Sequence, residues 1–131
     1  MSGYSGTPLP KKLGIKDGHA VLFVNPPKDW DRALGPLPDV RIEDKGLVDV
    51  IVLFVMRRAD FEKKLPVLRK RMTSAAGLWI AWPMKVSKVP TDMTEDVVRD
   101  VALPTGLVDN KVWAIDGVWS GLRLVVRREL R

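Results

Sequence analysis

Side chains able to do chemistry are scarce in this chain. It has one histidine, His19, and no cysteine. Without thiols there is no disulfide framework, no Cys-ligated zinc, no iron–sulfur cluster and no thiol nucleophile. A single histidine removes any site built on two His ligands and argues against a Ser-His-Asp triad. His19 also opens the first apolar run. At the start of the first strand it would lie at the edge opposite a ligand crevice, which argues against a general base.

The remaining groups of interest are cations. Lys+Arg total 22 against 16 Asp+Glu, a net charge of +6. Two dense groups stand out, Arg69-Lys70-Arg71 and the C-terminal set Arg123, Arg127, Arg128 and Arg131. Either could meet a nucleic acid. No Arg-Gly repeat, zinc finger or RNA-recognition aromatic pattern accompanies them, so a solvated basic surface is the simpler expectation. A third set is scattered over three segments. The first is Asn25-Pro26-Pro27-Lys28, the second Met56-Arg57-Arg58, and the third Trp82-Pro83-Met84-Lys85, leading to Ser87, Lys88, Thr91 and Asp92.

Whether that third set forms a site depends on the elements that carry it. Residues 20–24 (AVLFV), 49–55 (DVIVLFV) and 77–82 (GLWIAW) are nearly continuous apolar runs. Such runs suit strands covered on both faces, as in a parallel sheet. Residues 40–42 predict a short additional strand. Pro10 to Leu13 predicts a short helix stopped by Gly14, and Trp30 with Leu34 another after Pro27. Asp60 is expected to cap a helix whose buried face is Phe61, Leu65, Leu68 and Met72, with Pro66 bending or dividing it. Thr94, followed by Glu95 and Asp96, predicts a capped helix start with an acidic first turn. Pro104 and Gly106 end that helix. Residues 111–115 and 118–126 flank Asp116-Gly117, the favoured pair for a two-residue type I′ hairpin. That register places Trp113 and Trp119 on opposite faces. Trp79 is expected in the core and Trp82 at the rim.

Strands alternating with helices predict a three-layer α/β/α sandwich, mostly parallel, closed by a C-terminal antiparallel hairpin. Residues 1–10 are expected to be an extended arm, pinned by Tyr4 and Leu9, and residues 11–131 one domain. No run approaches the ~18 apolar residues of a membrane span. The first residues show no apolar signal region, so the expected compartment is the cytoplasm, with no membrane partner.

From Asp49 onward the pattern resembles the second half of a class I methyltransferase fold. The first half departs from it. No Gly-x-Gly-x-x-Gly follows the first strand, and Glu43 is the nearest acidic residue to a second strand. Asn25-Pro26-Pro27 is similar to an amino-methyltransferase motif, but that motif follows a later strand and carries an aromatic residue where Lys28 stands. Over nearly its whole length the chain resembles a bacterial family of uncharacterised proteins, domain of unknown function 3052. The resemblance rests on residues 3–9 (GYSGTPL), 12–15 (KLGI), 90–98 (PTDMTEDVV), 106–112 (GLVDNKV) and 119–123 (WSGLR). It implies a compact bacterial α/β protein and no assigned activity.

Open α/β sheets bind ligands beyond the carboxyl ends of their strands. Asn25, Lys28, Arg57, Arg58, Trp82, Lys85, Lys88, Thr91 and Thr94 would then share one rim, aided by the free N–H groups of the helix starting at Thr94. The expected function is a non-enzymatic module binding an anionic small molecule or a partner protein there. The alternative is a degenerate or partner-completed S-adenosylmethionine-dependent methyltransferase. The second alternative is nucleic-acid binding. No particular cofactor is indicated by the residues themselves.

Overall fold

A computed structural model describes residues 7–131. Most of the predicted arm, Tyr4 included, lies outside them. The elements are α1 (Leu9–Lys12), β1 (Ala20–Val24), α2 (Trp30–Leu34), β2 (Arg41–Ile42), β3 (Val48–Phe54), α3 (Arg58–Arg69), β4 (Met72–Pro83), α4 (Glu95–Ala102), β5 (Leu107–Ala114) and β6 (Trp119–Val126). The strands form one six-stranded sheet in the order β2-β1-β3-β4-β6-β5. β1 to β4 are parallel, and β6 runs antiparallel to both its neighbours. β5 therefore points the same way as β1, and the hairpin contributes a single reversed strand.

The continuous apolar runs are explained by burial on both sides. Ile51, Leu53, Leu78, Ile80, Leu122 and Leu124 face α3 and α4, packing on Phe61, Leu65, Leu68, Val98 and Ala102. Val50, Val52, Phe54, Trp79 and Ala81 face the opposite layer with Leu13, Ile15, Trp30 and Leu34 from the α1 and α2 segments. The α/β/α sandwich expected from the pattern is thus the observed architecture. Trp79 is fully buried, and its Nε1 donates to the Leu13 carbonyl at 3.0 Å, tying the N-terminal segment to the sheet. Gly121 lies beside it. A Cβ there would fall 2.8 Å from Ile115 Cδ1 and 3.2 Å from Trp79, so a larger residue would have to displace the Ile115 side chain from its place beside the indole.

Several local expectations are corrected. β4 starts at Met72, not Gly77. Opposite the step from Val48 to Val50 of β3, its register moves from Met72 to Gly77, leaving an irregular stretch that a hydrophobicity pattern reads as loop. α3 starts at Arg58, so Asp60 lies in the first turn and caps nothing. The helix continues unbroken through Pro66, which sits on its exposed side. Along β6, Leu122, Leu124 and Val126 alternate with Arg123, Val125 and Arg127, a pattern that predicts one exposed face, but the second face is not open. Val125 is buried, and Arg123 lies half-buried over Gly77.

The hairpin register also differs. Ala114 pairs with Ser120 and Trp113 with Gly121. The Ile115 N–H donates to the Trp119 carbonyl at 2.8 Å. The turn is therefore one residue longer than a type I′ pair. Asp116 Oδ1 accepts from the N–H groups of both Val118 and Trp119 at 2.8 Å, and this side-chain turn outcompetes the Asp-Gly preference. A one-residue slip reverses faces. Trp113 and Trp119 consequently share one face, that of Trp79.

Candidate functional site

The carboxyl ends of β1, β3 and β4 lie along one edge. The segment between β4 and α4 crosses it and is fastened at several points. Thr91 Oγ1 donates to the Met56 carbonyl at 2.6 Å and accepts from Met93 N–H at 3.0 Å. Asp92 Oδ1 accepts from Arg58 N–H at 2.7 Å and so caps α3 from a distant loop. Thr94 Oγ1 accepts from Val97 N–H at 3.1 Å, the cap expected for α4. Ser87 Oγ donates to the Met84 carbonyl at 2.6 Å. Asp92 lies two residues before the α4 cap but does not serve that helix. It serves α3 instead, because the crossing segment delivers it to the α3 N-terminus.

Two crevices flank this crossing. One, of about 230 Å³, lies beyond β1 and β3 and is lined by Asn25, Phe54, Val55, Met56, Arg57, Asp60 and Trp119. The other, of about 370 Å³, lies between the end of β4 and the start of α4. Its lining is Trp82, Pro83, Met84, Lys85, Thr91, Met93, Thr94, Glu95 and Ser120. The nine rim residues are thus divided. Asn25 and Arg57 meet in the first crevice; Trp82, Lys85, Thr91 and Thr94 meet in the second. Lys28, Arg58 and Lys88 line neither. Arg58 pairs with Glu62 at 3.2 Å. Lys28, Arg57, Lys85 and Lys88 are exposed and form no ion pair among the described residues.

Trp119, Asp60, Met93, Glu95 and Ser120 line these crevices although the sequence did not mark them as site residues. Trp119 reaches the first because of the longer turn, which places it over the carboxyl edge with its ring 5.1 Å from that of Phe54. The signal was present in Asp116, which forms a side-chain turn as readily as a type I′ pair. Glu95 is engaged with Arg99 at 3.2 Å, and Arg99 also meets Asp109 at 3.1 Å. The hydrogen bond to Asp109, which joins α4 to β5, is the main cause raising the Arg99 pKa. No group of three or more His, Asp or Glu side chains converges on a metal position among the described residues. His19 sits before β1 at the amino edge, where its Nδ1 accepts from Lys16 N–H at 3.2 Å.

No family model matches the chain, so the resemblance to domain of unknown function 3052 has no support from one. No curated protein matches it either. Solved structures do. A SAM-dependent methyltransferase from Aquifex aeolicus is 16% identical, covering 88% of this chain and 87% of that one, with a TM-score of 0.55. The N,N-8-amino-8-demethyl-D-riboflavin dimethyltransferase of Streptomyces davawensis is 16% identical, covering 86% and 49%, with a TM-score of 0.59. The magnesium protoporphyrin IX methyltransferase of Synechocystis, with bound SAM, is 13% identical, covering 75% and 50%, with a TM-score of 0.50. The chain spans about half the length of the last two. The likeness defines a methyltransferase-like Rossmann fold.

Proposed function

We propose that this chain is a degenerate methyltransferase-fold domain, one that keeps a ligand crevice at the carboxyl edge but has lost the means to hold S-adenosylmethionine unaided. The observation that carries this reading is the turn after β1. A nucleotide-type cofactor needs main-chain N–H donors and close backbone approach there, which glycines provide. Here Asn25, with φ of 56°, is followed by Pro26 and Pro27, which have no N–H to offer. The adjoining crevice, about 230 Å³, is smaller than the ~300–1,000 Å³ of ordinary ligand sites. Glu43, the acidic residue nearest β2, donates its N–H to the Val21 carbonyl at 2.9 Å, several residues below the end of β1. The residues present do not fit the cofactor.

The larger crevice supports a different occupant. Trp82, Met84 and Met93 give it an apolar floor, and Lys85 stands beside the start of α4 as its one cation. A small molecule with an apolar body and a carboxylate or phosphate suits that lining. Thr91 and Thr94 are already engaged and Glu95 is paired with Arg99, which leaves Lys85 to select for charge.

Calorimetry with S-adenosylmethionine at millimolar concentration tests the first part, with no heat of binding expected. Saturable micromolar binding would overturn it. A thermal-shift screen of anionic metabolites tests the second. A stabilising ligand is expected whose effect is lost in Lys85→Ala and retained in Lys28→Ala; no shift from any anion would count against the crevice.

A further inference from the structure

The most organised positive charge is not at the carboxyl edge but at the opposite one. Arg69 and Arg71 leave α3 just before β4, and Arg127, Arg128 and Arg131 follow β6. Four of these five are tethered to main-chain carbonyls. Arg69 Nε donates to Thr105 O at 3.2 Å, and Arg127 Nη2 donates to Leu103 O at 2.9 Å, in the same turn before β5. Arg131 Nε donates to Val126 O at 2.8 Å. Arg71 Nε and Nη1 donate to Gly46 O and Asp44 O at 2.8 and 3.0 Å. None of them has an acidic partner among the described residues, where every ion pair belongs to Arg58 or Arg99. Arg123, half-buried on the adjoining face, has its pKa lowered by burial and, secondarily, by repulsion from Arg131.

We propose that this amino edge is a docking surface for the phosphate backbone of duplex nucleic acid. Guanidinium forks match phosphate oxygens in pairs, and Arg69 and Arg131 each donate one N–H to a carbonyl that holds the fork in place, whereas Arg71 Nη2 and Arg127 Nε are buried without a partner, so those two brace the edge rather than reach a phosphate. The predominance of arginine over lysine at this edge fits phosphate recognition better than a general solubilising charge. Trp113, 37% exposed, is the one exposed aromatic residue among those described, and it lies near the other end of β5. The amino edge therefore has no platform on which unpaired bases would stack, which favours a duplex over a single strand. Contacts to phosphates alone carry no sequence information, so binding is independent of sequence.

Fluorescence anisotropy with a labelled duplex about two helical turns long tests this. Binding is expected at ~50 mM salt and falls roughly a hundredfold by ~200 mM, the response to about four neutralised phosphates. Arg128→Ala and Lys70→Ala remove exposed cations with no bond among the described residues, so folding is preserved. Each lowers affinity severalfold and reduces the salt slope by about one. Lys28→Ala and Lys85→Ala at the carboxyl edge leave affinity unchanged. The proposal is overturned by absence of binding at ~50 mM salt, by larger losses from the carboxyl-edge variants, by tighter binding of the single strand, or by polyglutamate competing better than unlabelled duplex at equal charge.

Discussion

The two edges of this sheet treat their charged side chains in opposite ways. At the carboxyl edge, Lys28, Arg57, Lys85 and Lys88 stand exposed without ion pairs among the described residues, while Thr91, Asp92 and Thr94 hold backbone. At the amino edge it is the cations themselves that hold backbone, through Thr105, Leu103, Val126 and the Asp44–Gly46 turn. A free lysine must lose rotamer freedom when it meets a ligand, at a cost of up to ~2 kcal/mol. The tethered arginines have lost part of that freedom on folding. A basic loop and a basic site are therefore different things, and the difference lies in which acceptor each side chain finds.

This contrast can be broken or sharpened by substitution. The largest effect is expected from the double variant Thr91→Val, Asp92→Ala. It removes the carboxyl-edge fastenings and leaves the Met56 carbonyl and Arg58 N–H without partners, costing roughly 2–3 kcal/mol. Chemical denaturation should show that loss. A change below about 0.5 kcal/mol would mean the crossing segment is held by packing alone.

Next come the arginines. Arg69→Met or Arg127→Met should cost about 1 kcal/mol by removing a charge-assisted bond to the turn before β5. Arg123→Met should instead leave the melting temperature unchanged or raise it, because it removes a half-buried cation with no acidic partner among the described residues. If Arg123→Met proves as damaging as Arg127→Met, the distinction between tethered and uncompensated arginine fails. The smallest effects, within about 0.5 kcal/mol, are expected for Lys28→Ala and Lys85→Ala in the ligand-free protein. Thermal melts of those variants check that the carboxyl-edge lysines are free.

Much of the fold was legible because its signals are local. The apolar runs of β1 and β3, the Thr94 cap and the Gly106 stop each depend on residues a few positions apart, and all appear where expected. The misreadings share a cause. Met72 to Ala76 was hidden because an irregular register breaks the apolar pattern. Asp60 looked like a cap because nothing nearby competed with it, while the actual partner of Arg58 N–H, Asp92, comes from another loop. The hairpin slipped by one residue because Asp116 can serve two turn types, and packing of Trp119 against Phe54 goes with the longer one. The candidate rim was legible as a list of loop ends. Its division into two crevices was not.

What the amino-acid order determined alone was the set of elements, their burial on both faces and the absence of thiol or paired-histidine chemistry. Hydrophobic periodicity and capping preferences act within a turn or a strand, so they survive any ignorance of the rest of the molecule. Tertiary structure decided which edge organises its cations and which side chains are spent on architecture. Thr91 and Met56, Arg58 and Asp92, and Arg69 and Thr105 are 35, 34 and 36 residues apart. A side-chain donor or acceptor has no preference for a partner that distant until the sheet has brought the two together.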